Sequence, residues 1–173
     1  DFTSGEVIVN WEDNNGVFTR KLFVSRPDNL VVLKLSSDEG ASINTTLSLS
    51  KIIRHDVGRI KKFNLDDNFC IKKVESGTMD NGLYFKAWYE RPWEFESRKS
   101  FKGYEGVVQV LRSDGKIEMD SDRLILRDAT DVLIVARIEP SDNMEESRVL
   151  EMSNALKSYD GTYDELLAVH KKI

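Results

Sequence analysis

The chain contains few of the residues that form disulfides or metal sites. Its 173 residues include one cysteine and two histidines. The single cysteine, Cys70, excludes an internal disulfide, and its position between two apolar residues favours a place in the core. His55 and His170 have no cysteine or histidine at ligand spacing, whereas zinc requires three or four such ligands. The sequence therefore predicts no metal site and no cofactor.

Long hydrophobic runs and basic clusters are also missing. No apolar run approaches the ~18 residues of a membrane-spanning helix, so no membrane partner is expected. The net charge of −5 disfavours nucleic acid and anionic membranes as partners, because both attract basic surfaces. No signal peptide precedes the first predicted strand, and we expect the chain to be a piece of a longer protein. The missing signal then carries no information about localisation.

No catalytic signature is recognisable either. A nucleophilic serine of the G-x-S-x-G type is absent. A glycosidase needs two carboxyl groups held ~5–9.5 Å apart across a sugar. The paired acids of this chain are instead neighbours in predicted loops or on a predicted helix surface: Asp66-Asp67, Glu94 with Glu96, and Glu145-Glu146. We expect these to be solvated charges, so the chain alone is not expected to be an enzyme.

The sequence is rich in short strand patterns. Residues 6–36 contain two alternating apolar runs around Asn14-Asn15-Gly16 and a third run after residues 26–29, which predicts three consecutive antiparallel strands. Asp80-Asn81-Gly82 between two further apolar runs predicts another hairpin. About ten such strands at regular spacing indicate an all-β fold. Such a pattern is typical of a sandwich or a barrel rather than an α/β sheet.

The two helices are predicted after Pro140, where the apolar period changes. Asp142 is the expected N-cap of the first helix, and its apolar stripe follows at helical spacing: Val149, Met152 and Leu156. Thr162 and Glu165 predict a capping box for the second helix, ahead of Leu166, Leu167 and His170. We expect the first helix to dock on the sandwich. The second is expected to be mobile or held by a neighbouring molecule, because short isolated helices need a partner surface.

Three segments resemble glycoside hydrolase family 95, the α-L-fucosidase and α-L-galactosidase family. The first follows the pattern Y-x-R-x-x-F-x-S-x-P-x-x-x-[VI]-x-x-x-L, with phenylalanine in place of the tyrosine: Phe18, Arg20, Phe23, Ser25, Pro27, Val31 and Leu35. The second is G-L-x-F-x-A at residues 82–87, and the third is Y-x-x-L-x-x-x-H from Tyr163 to His170. The resemblance implies an all-β fold, an antiparallel β-sandwich domain of the supersandwich-like type over residues 1–140, followed by a pair of short helices. Residues 141–173 would then be a helical linker that leads toward a catalytic barrel missing here.

The resemblance also implies a function. The chain would be a non-catalytic N-terminal accessory domain of a secreted or periplasmic glycoside hydrolase, and it would frame or support the active site of an α-fucosidase or α-galactosidase type of barrel. Its partners would be its own catalytic domain and glycan. Two alternatives stay open, since fold does not determine function. They are a stand-alone carbohydrate-binding module and a surface or adhesion domain with a protein partner.

One cluster of aromatic residues is a candidate for substrate binding. Residues 91–104 form a predicted irregular loop that contains Pro92, and aromatic and charged residues alternate through and just before it. The candidate sugar-binding residues are Trp88, Arg91, Trp93 and Tyr104. Sugars stack their C–H faces on aromatic rings and need hydrogen-bond partners for their hydroxyls. The same rings could instead cover one mouth of the sandwich or pack against the missing catalytic domain.

Overall fold

The computed structural model describes residues 4–49, 71–93 and 101–172, with the side chains of residues 90–93 left out. Within these ranges the chain forms ten strands and two helices. The strands are β1 (Val7–Asp13), β2 (Gly16–Ser25), β3 (Leu30–Ser37), β4 (Ile43–Ser48), β5 (Ile71–Met79), β6 (Gly82–Trp93), β7 (Phe101–Ser113), β8 (Lys116–Asp120), β9 (Arg123–Ala129) and β10 (Asp131–Ser141). The helices are α1 (Val149–Lys157) and α2 (Tyr163–His170).

The strands form two antiparallel sheets. The large sheet has the order β1-β2-β3-β10-β7-β6-β5, and the small sheet has the order β4-β9-β8. The consecutive pairing of β1, β2 and β3 is the arrangement that the sequence predicts. Asp80 and Asn81 have φ angles of 29° and 58° in the β5–β6 turn, which these residue types tolerate well. The all-β sandwich and its terminal pair of helices are thus confirmed.

The central part of the large sheet is buried on both faces. Phe18 and Phe23 are five residues apart on β2, so they point to opposite sides of the sheet. Phe18 lies in a core between the two sheets, with Leu124 and Leu126 of β9. Phe23 lies in a second core, between the large sheet and the helices, with Leu156. The large sheet is therefore the middle layer of three.

Both helices pack on the large sheet. Helix α1 contacts β7 and β10, and α2 contacts β2 and β3. The predicted capping box of α2 is confirmed, because Glu165 donates its backbone N–H to the Thr162 hydroxyl (3.3 Å) and accepts from the Thr162 N–H (2.7 Å). Tyr163 meets the ring of Phe23 edge-on, with centroids 5.2 Å apart. The structure thus differs from the expectation of a mobile second helix, because α2 buries its apolar side on the sheet.

The start of α1 is also corrected by the structure. The helix begins at Val149 rather than next to Asp142, and its N-cap, Arg148, makes no side-chain capping bond. The buried carboxylate of Glu105 on β7 instead accepts from the Arg148 backbone N–H and from the Ser147 hydroxyl, both at 2.8 Å. A carboxylate from a strand therefore accepts a backbone N–H at the start of α1, as a capping side chain next to the helix normally does.

Part of the predicted irregular loop at residues 91–104 belongs to two strands instead. Strand β6 continues to Trp93, β7 begins at Phe101, and these two residues are paired. Pro92 is accommodated because the β6–β7 register shifts between Trp88 and Trp93, and such irregularities are where a strand tolerates proline.

Candidate functional site

The structure separates two of the predicted sugar-binding residues. Ala87 of β6 pairs with Tyr104 of β7, and Trp88 pairs with Gly103. Paired residues share a face of the sheet and successive residues alternate, so Trp88 and Tyr104 lie on opposite faces. Tyr104 is on the side of the small sheet, and Trp88 is on the side of the helices. These two rings cannot contact one sugar together.

Tyr104 belongs to a small aromatic cluster. Its ring centroid lies 5.6 Å from that of Phe85 and 6.0 Å from that of Tyr89. Burial, followed by the neighbouring Tyr89, raises the pKa of Tyr104 above its ordinary value. Its hydroxyl therefore stays protonated at neutral pH and is able to donate a hydrogen bond. This cluster lies against the side of the sheet that faces β4, β8 and β9.

Trp88 has a different environment. The ammonium group of Lys73, its partner on β5, lies 4.6 Å from the centre of the indole ring, in the geometry of a cation–π contact. Arg91 and Trp93 lie on β6, but their side chains are outside the described residues. Sugar binding by these residues stays a prediction.

The other candidate residues for metal binding or catalysis do not form a site within the described residues. Cys70, His55, Asp66-Asp67, Glu94 and Glu96 lie outside the described residues. Glu145 and Glu146 are exposed, as expected for solvated charges. His170 is buried and stacks on Phe23 with ring centroids 5.4 Å apart.

Residues 4–49, 71–93 and 101–172 contain no group of three or more potential metal ligands. In the same ranges no helix is long and apolar enough to cross a membrane.

A groove that the sequence did not predict lies between the large sheet and β4. Its volume is about 640 Å³, within the ~300–1,000 Å³ typical of small-ligand sites. Strands β1–β3 supply its floor: Trp11, Phe18, Arg20, Leu33 and Leu35. Strand β4 supplies one wall: Ile43, Asn44, Thr45 and Leu47. The groove exists because β4 packs over β3, which leaves β1 and β2 extending beyond the small sheet.

Trp11 and Arg20 give the groove its chemical character. Trp11 stacks on Phe18, its cross-strand partner, with centroids 5.4 Å apart and ring planes 19° apart. It nevertheless remains 41% exposed, because β1 is the edge of the large sheet. Arg20 shares the face of Phe18 on β2 and forms no ion pair with any residue that the structure describes. An exposed ring and a guanidinium that has no ion-pair partner among the described residues thus line the same groove.

The sequence did contain a signal for this pair. A two-residue turn at Asn14-Asn15 places Asp13 opposite Gly16 and therefore Trp11 opposite Phe18. The aromatic pair was thus predictable from the hairpin. The position of β4 as the wall of the groove was not predictable from the hairpin, because it depends on how the two sheets pack on each other.

The chain is similar to a known protein family over most of its length. Residues 1–145 match the family described as glycosyl hydrolase family 65, N-terminal domain. The chain belongs to this family. The match spans both sheets of the family-65 domain and ends before α1 begins.

A solved structure shares the fold of this family-65 domain. It is a human-microbiome protein assigned as a kojibiose phosphorylase, with a TM-score of 0.56 and 13% sequence identity. The alignment covers 99% of this chain and 23% of that protein, so the chain spans about a quarter of that protein's length. A comparison with curated protein sequences finds no match.

The family assignment corrects part of the expectation from sequence. The N-terminal domain of a glycoside hydrolase is confirmed, but the matching family is 65 rather than 95. The residues that suggested family 95, among them Phe18, Phe23 and Leu35, are inward-facing positions of β2 and β3. Buried strand positions of related sandwiches have similar requirements for size and polarity, so such a pattern is a weak guide to which family a sandwich belongs to.

The floor of the groove in the family-65 domain depends on a close approach of two turns. Gly16 has a φ of +134°, and a Cβ at this position would collide with the Cβ of Ala41. Ala41 is held by a hydrogen bond from its N–H to the Asp38 carbonyl (3.1 Å). The β1–β2 turn can therefore meet the β3–β4 connection only because residue 16 lacks a side chain.

Replacing Gly16 by alanine is expected to lower the free energy of unfolding by about 2–3 kcal/mol, because the strained φ and the clash with Ala41 act together. Urea denaturation measures the change in the free energy of unfolding. Gly40 is a matched control, since it has a φ of +85° but a Cβ added there would meet no described atom within 4 Å. Its replacement by alanine should cost only about 1 kcal/mol. Equal losses in the two variants would show that the approach to Ala41 is unimportant.

Proposed function

We propose that this chain is a non-catalytic accessory domain of a family-65 glycoside hydrolase or phosphorylase, and that it supports or frames the active site of a catalytic domain in the same parent protein. The observation that carries the proposal is the match of residues 1–145 to the N-terminal domain of family 65. The structural relative, in which this fold occupies 23% of a longer chain, supports it further.

The outer side of the helices offers a surface for such a domain. Leu150 of α1 is 64% exposed and Val169 of α2 is 44% exposed. Their exposure fits a contact with a further part of the parent protein. In such an arrangement the sandwich would provide shape and the catalytic domain would provide chemistry.

The isolated chain is expected to have no glycosidase or phosphorylase activity, because it matches an N-terminal domain and the groove beside β4 is lined by a single carboxyl group among the described residues, that of Asp13, whereas a glycosidase needs two. The purified chain would be incubated with kojibiose and phosphate, and separately with aryl α-glucosides, α-fucosides and α-galactosides. We expect no sugar phosphate, free sugar or nitrophenol above a heat-inactivated control. Turnover that rises in proportion to the concentration of the chain would contradict the proposal.

The reading frame of the parent gene beyond Ile173 tests the other half of the proposal. A helical domain of several hundred residues is expected to follow. A stop codon directly after this chain would instead favour a stand-alone module.

The finer parts of the proposal rest on the resemblance to family 95 alone. They are an α-fucosidase or α-galactosidase activity of the parent protein and its location outside the cytoplasm. Activity of the full-length parent on α-fucosides, rather than on kojibiose with phosphate, would support the first. An export signal at the start of the parent gene would support the second, and its absence would count against it.

A further inference from the structure

The groove between β1–β3 and β4 combines an apolar floor with a polar rim. Its floor carries the rings of Trp11 and Phe18, and its rim carries polar side chains such as Asn44 and Thr45. One acid, Asp13, and one base, Arg20, are the charged residues among those that line it. A groove of this kind has an apolar base, many hydrogen-bonding groups and no net charge.

We propose that this groove binds a short neutral oligosaccharide, with Trp11 as the stacking ring and Arg20 as the donor to sugar hydroxyls. A pyranose ring presents an apolar C–H face and a rim of hydroxyls, which matches the two surfaces of the groove. The guanidinium of Arg20 carries five donors in a planar fork, and none of them is used in an ion pair with a described residue.

The charge balance argues against other classes of ligand. A nucleic acid or an acidic polysaccharide requires an excess of basic residues, and the single arginine is offset by Asp13. A lipid or an apolar helix that covered the groove would leave Thr45 and Arg20 without hydrogen-bond partners, which is unfavourable. A neutral sugar satisfies both the rings and the polar groups.

Two polar side chains of the rim are held in place by hydrogen bonds within the protein. The side-chain oxygen of Asn44 accepts from the Asp128 backbone N–H at 3.2 Å. Asp13 accepts from the Asn15 backbone N–H at 2.6 Å. Groups that are held in place before binding lose less conformational entropy when a ligand arrives. The groove is nonetheless open, so we expect weak binding, with a Kd on the order of 1 mM.

Titration of the ¹⁵N-labelled chain with kojibiose, maltotriose and cellotriose, followed by NMR, tests the proposal. The chain has three tryptophans, and the indole signal of Trp11 is identified by its loss in W11F. We expect at least one sugar to shift the Trp11 indole and the backbone amides of Arg20 and Thr45. No shift with any of the three sugars at about 10 mM would overturn the proposal.

Two pairs of variants locate the site. Trp11→Ala should weaken binding by at least about tenfold, while Trp88→Ala should leave it unchanged, since Trp88 lies on the opposite face of the sheet. Arg20→Gln should weaken binding, while Arg127→Gln, on the small sheet, should not. Loss of binding in Trp88→Ala with retention in Trp11→Ala would overturn the proposal and return the site to the aromatic residues of β6.

Controls separate binding from folding and from the proposed function. A dispersed amide spectrum of Trp11→Ala shows that it is folded, and W11F, which keeps a ring against Phe18, provides a second folded variant. Binding by a catalytically inactive chain would leave the accessory role intact. Absence of binding would remove the sugar site alone.

Discussion

Replacing Leu156 by alanine is expected to lower the free energy of unfolding by about 3 kcal/mol, within the ~2–5 kcal/mol seen for buried leucines. Leu156 is fully buried, in the core that α1 shares with Phe23 and Val32. Its removal opens a cavity whose walls belong to two layers of the fold, and these cannot collapse easily. Chemical denaturation measures the loss.

Leu150 on the same helix is the matched control. It is 64% exposed, so the same change of leucine to alanine should alter the stability by less than about 0.5 kcal/mol. Helix propensity changes equally in the two variants, and their difference therefore reports the docking of α1 alone. If both variants were as stable as the original chain, α1 would not be part of this domain's fold.

Replacing Glu105 by alanine is expected to cost about 3 kcal/mol as well. Glu105 is 1% exposed, and its carboxylate accepts from the Ser147 hydroxyl and the Arg148 N–H. The ammonium group of Lys86 lies 3.8 Å away. Removal of the carboxylate leaves a backbone donor and a cation without their partner, which is costly in a buried site. Thermal denaturation should show a Tm lower by about 6–12 °C.

Two further variants test the reason for that cost. Glu105→Gln keeps an acceptor oxygen but not the charge, so its loss of stability should be about half as large. Glu118→Ala removes an exposed carboxylate that pairs with Arg127 at 3.3 Å, and it should cost less than about 1 kcal/mol. If Glu105→Ala were no worse than Glu118→Ala, the connection into α1 would be held by something other than Glu105.

The described strands show where prediction from sequence succeeds. The hairpins at Asn14-Asn15 and at Asp80-Asn81 were predicted because the residues that tolerate positive φ lie between two apolar runs. The alternation in β2 placed Phe18 and Phe23 on opposite faces, and both are buried. The sequence could not show that one of these faces is covered by helices rather than by a second sheet.

The candidate site shows where prediction fails. Trp88, Trp93 and Tyr104 are close in sequence, but proximity in sequence does not determine which face of a sheet a side chain occupies. The register of β6 against β7 decides this, and a one-residue shift would reverse it. Trp11 and Arg20, by contrast, meet the wall of β4 although more than 20 residues separate them from it.

The sequence by itself determined the local elements of this protein. Turn residues, strand alternation and the capping box of Thr162 and Glu165 act through hydrogen bonds between residues a few positions apart. Only the tertiary structure decided the pairing of β3 with β10, the capping of α1 by Glu105 and the docking of α2 on Phe23. These contacts join distant segments, and their free energy comes from burying surfaces together, so neither segment alone contains the information that selects its partner.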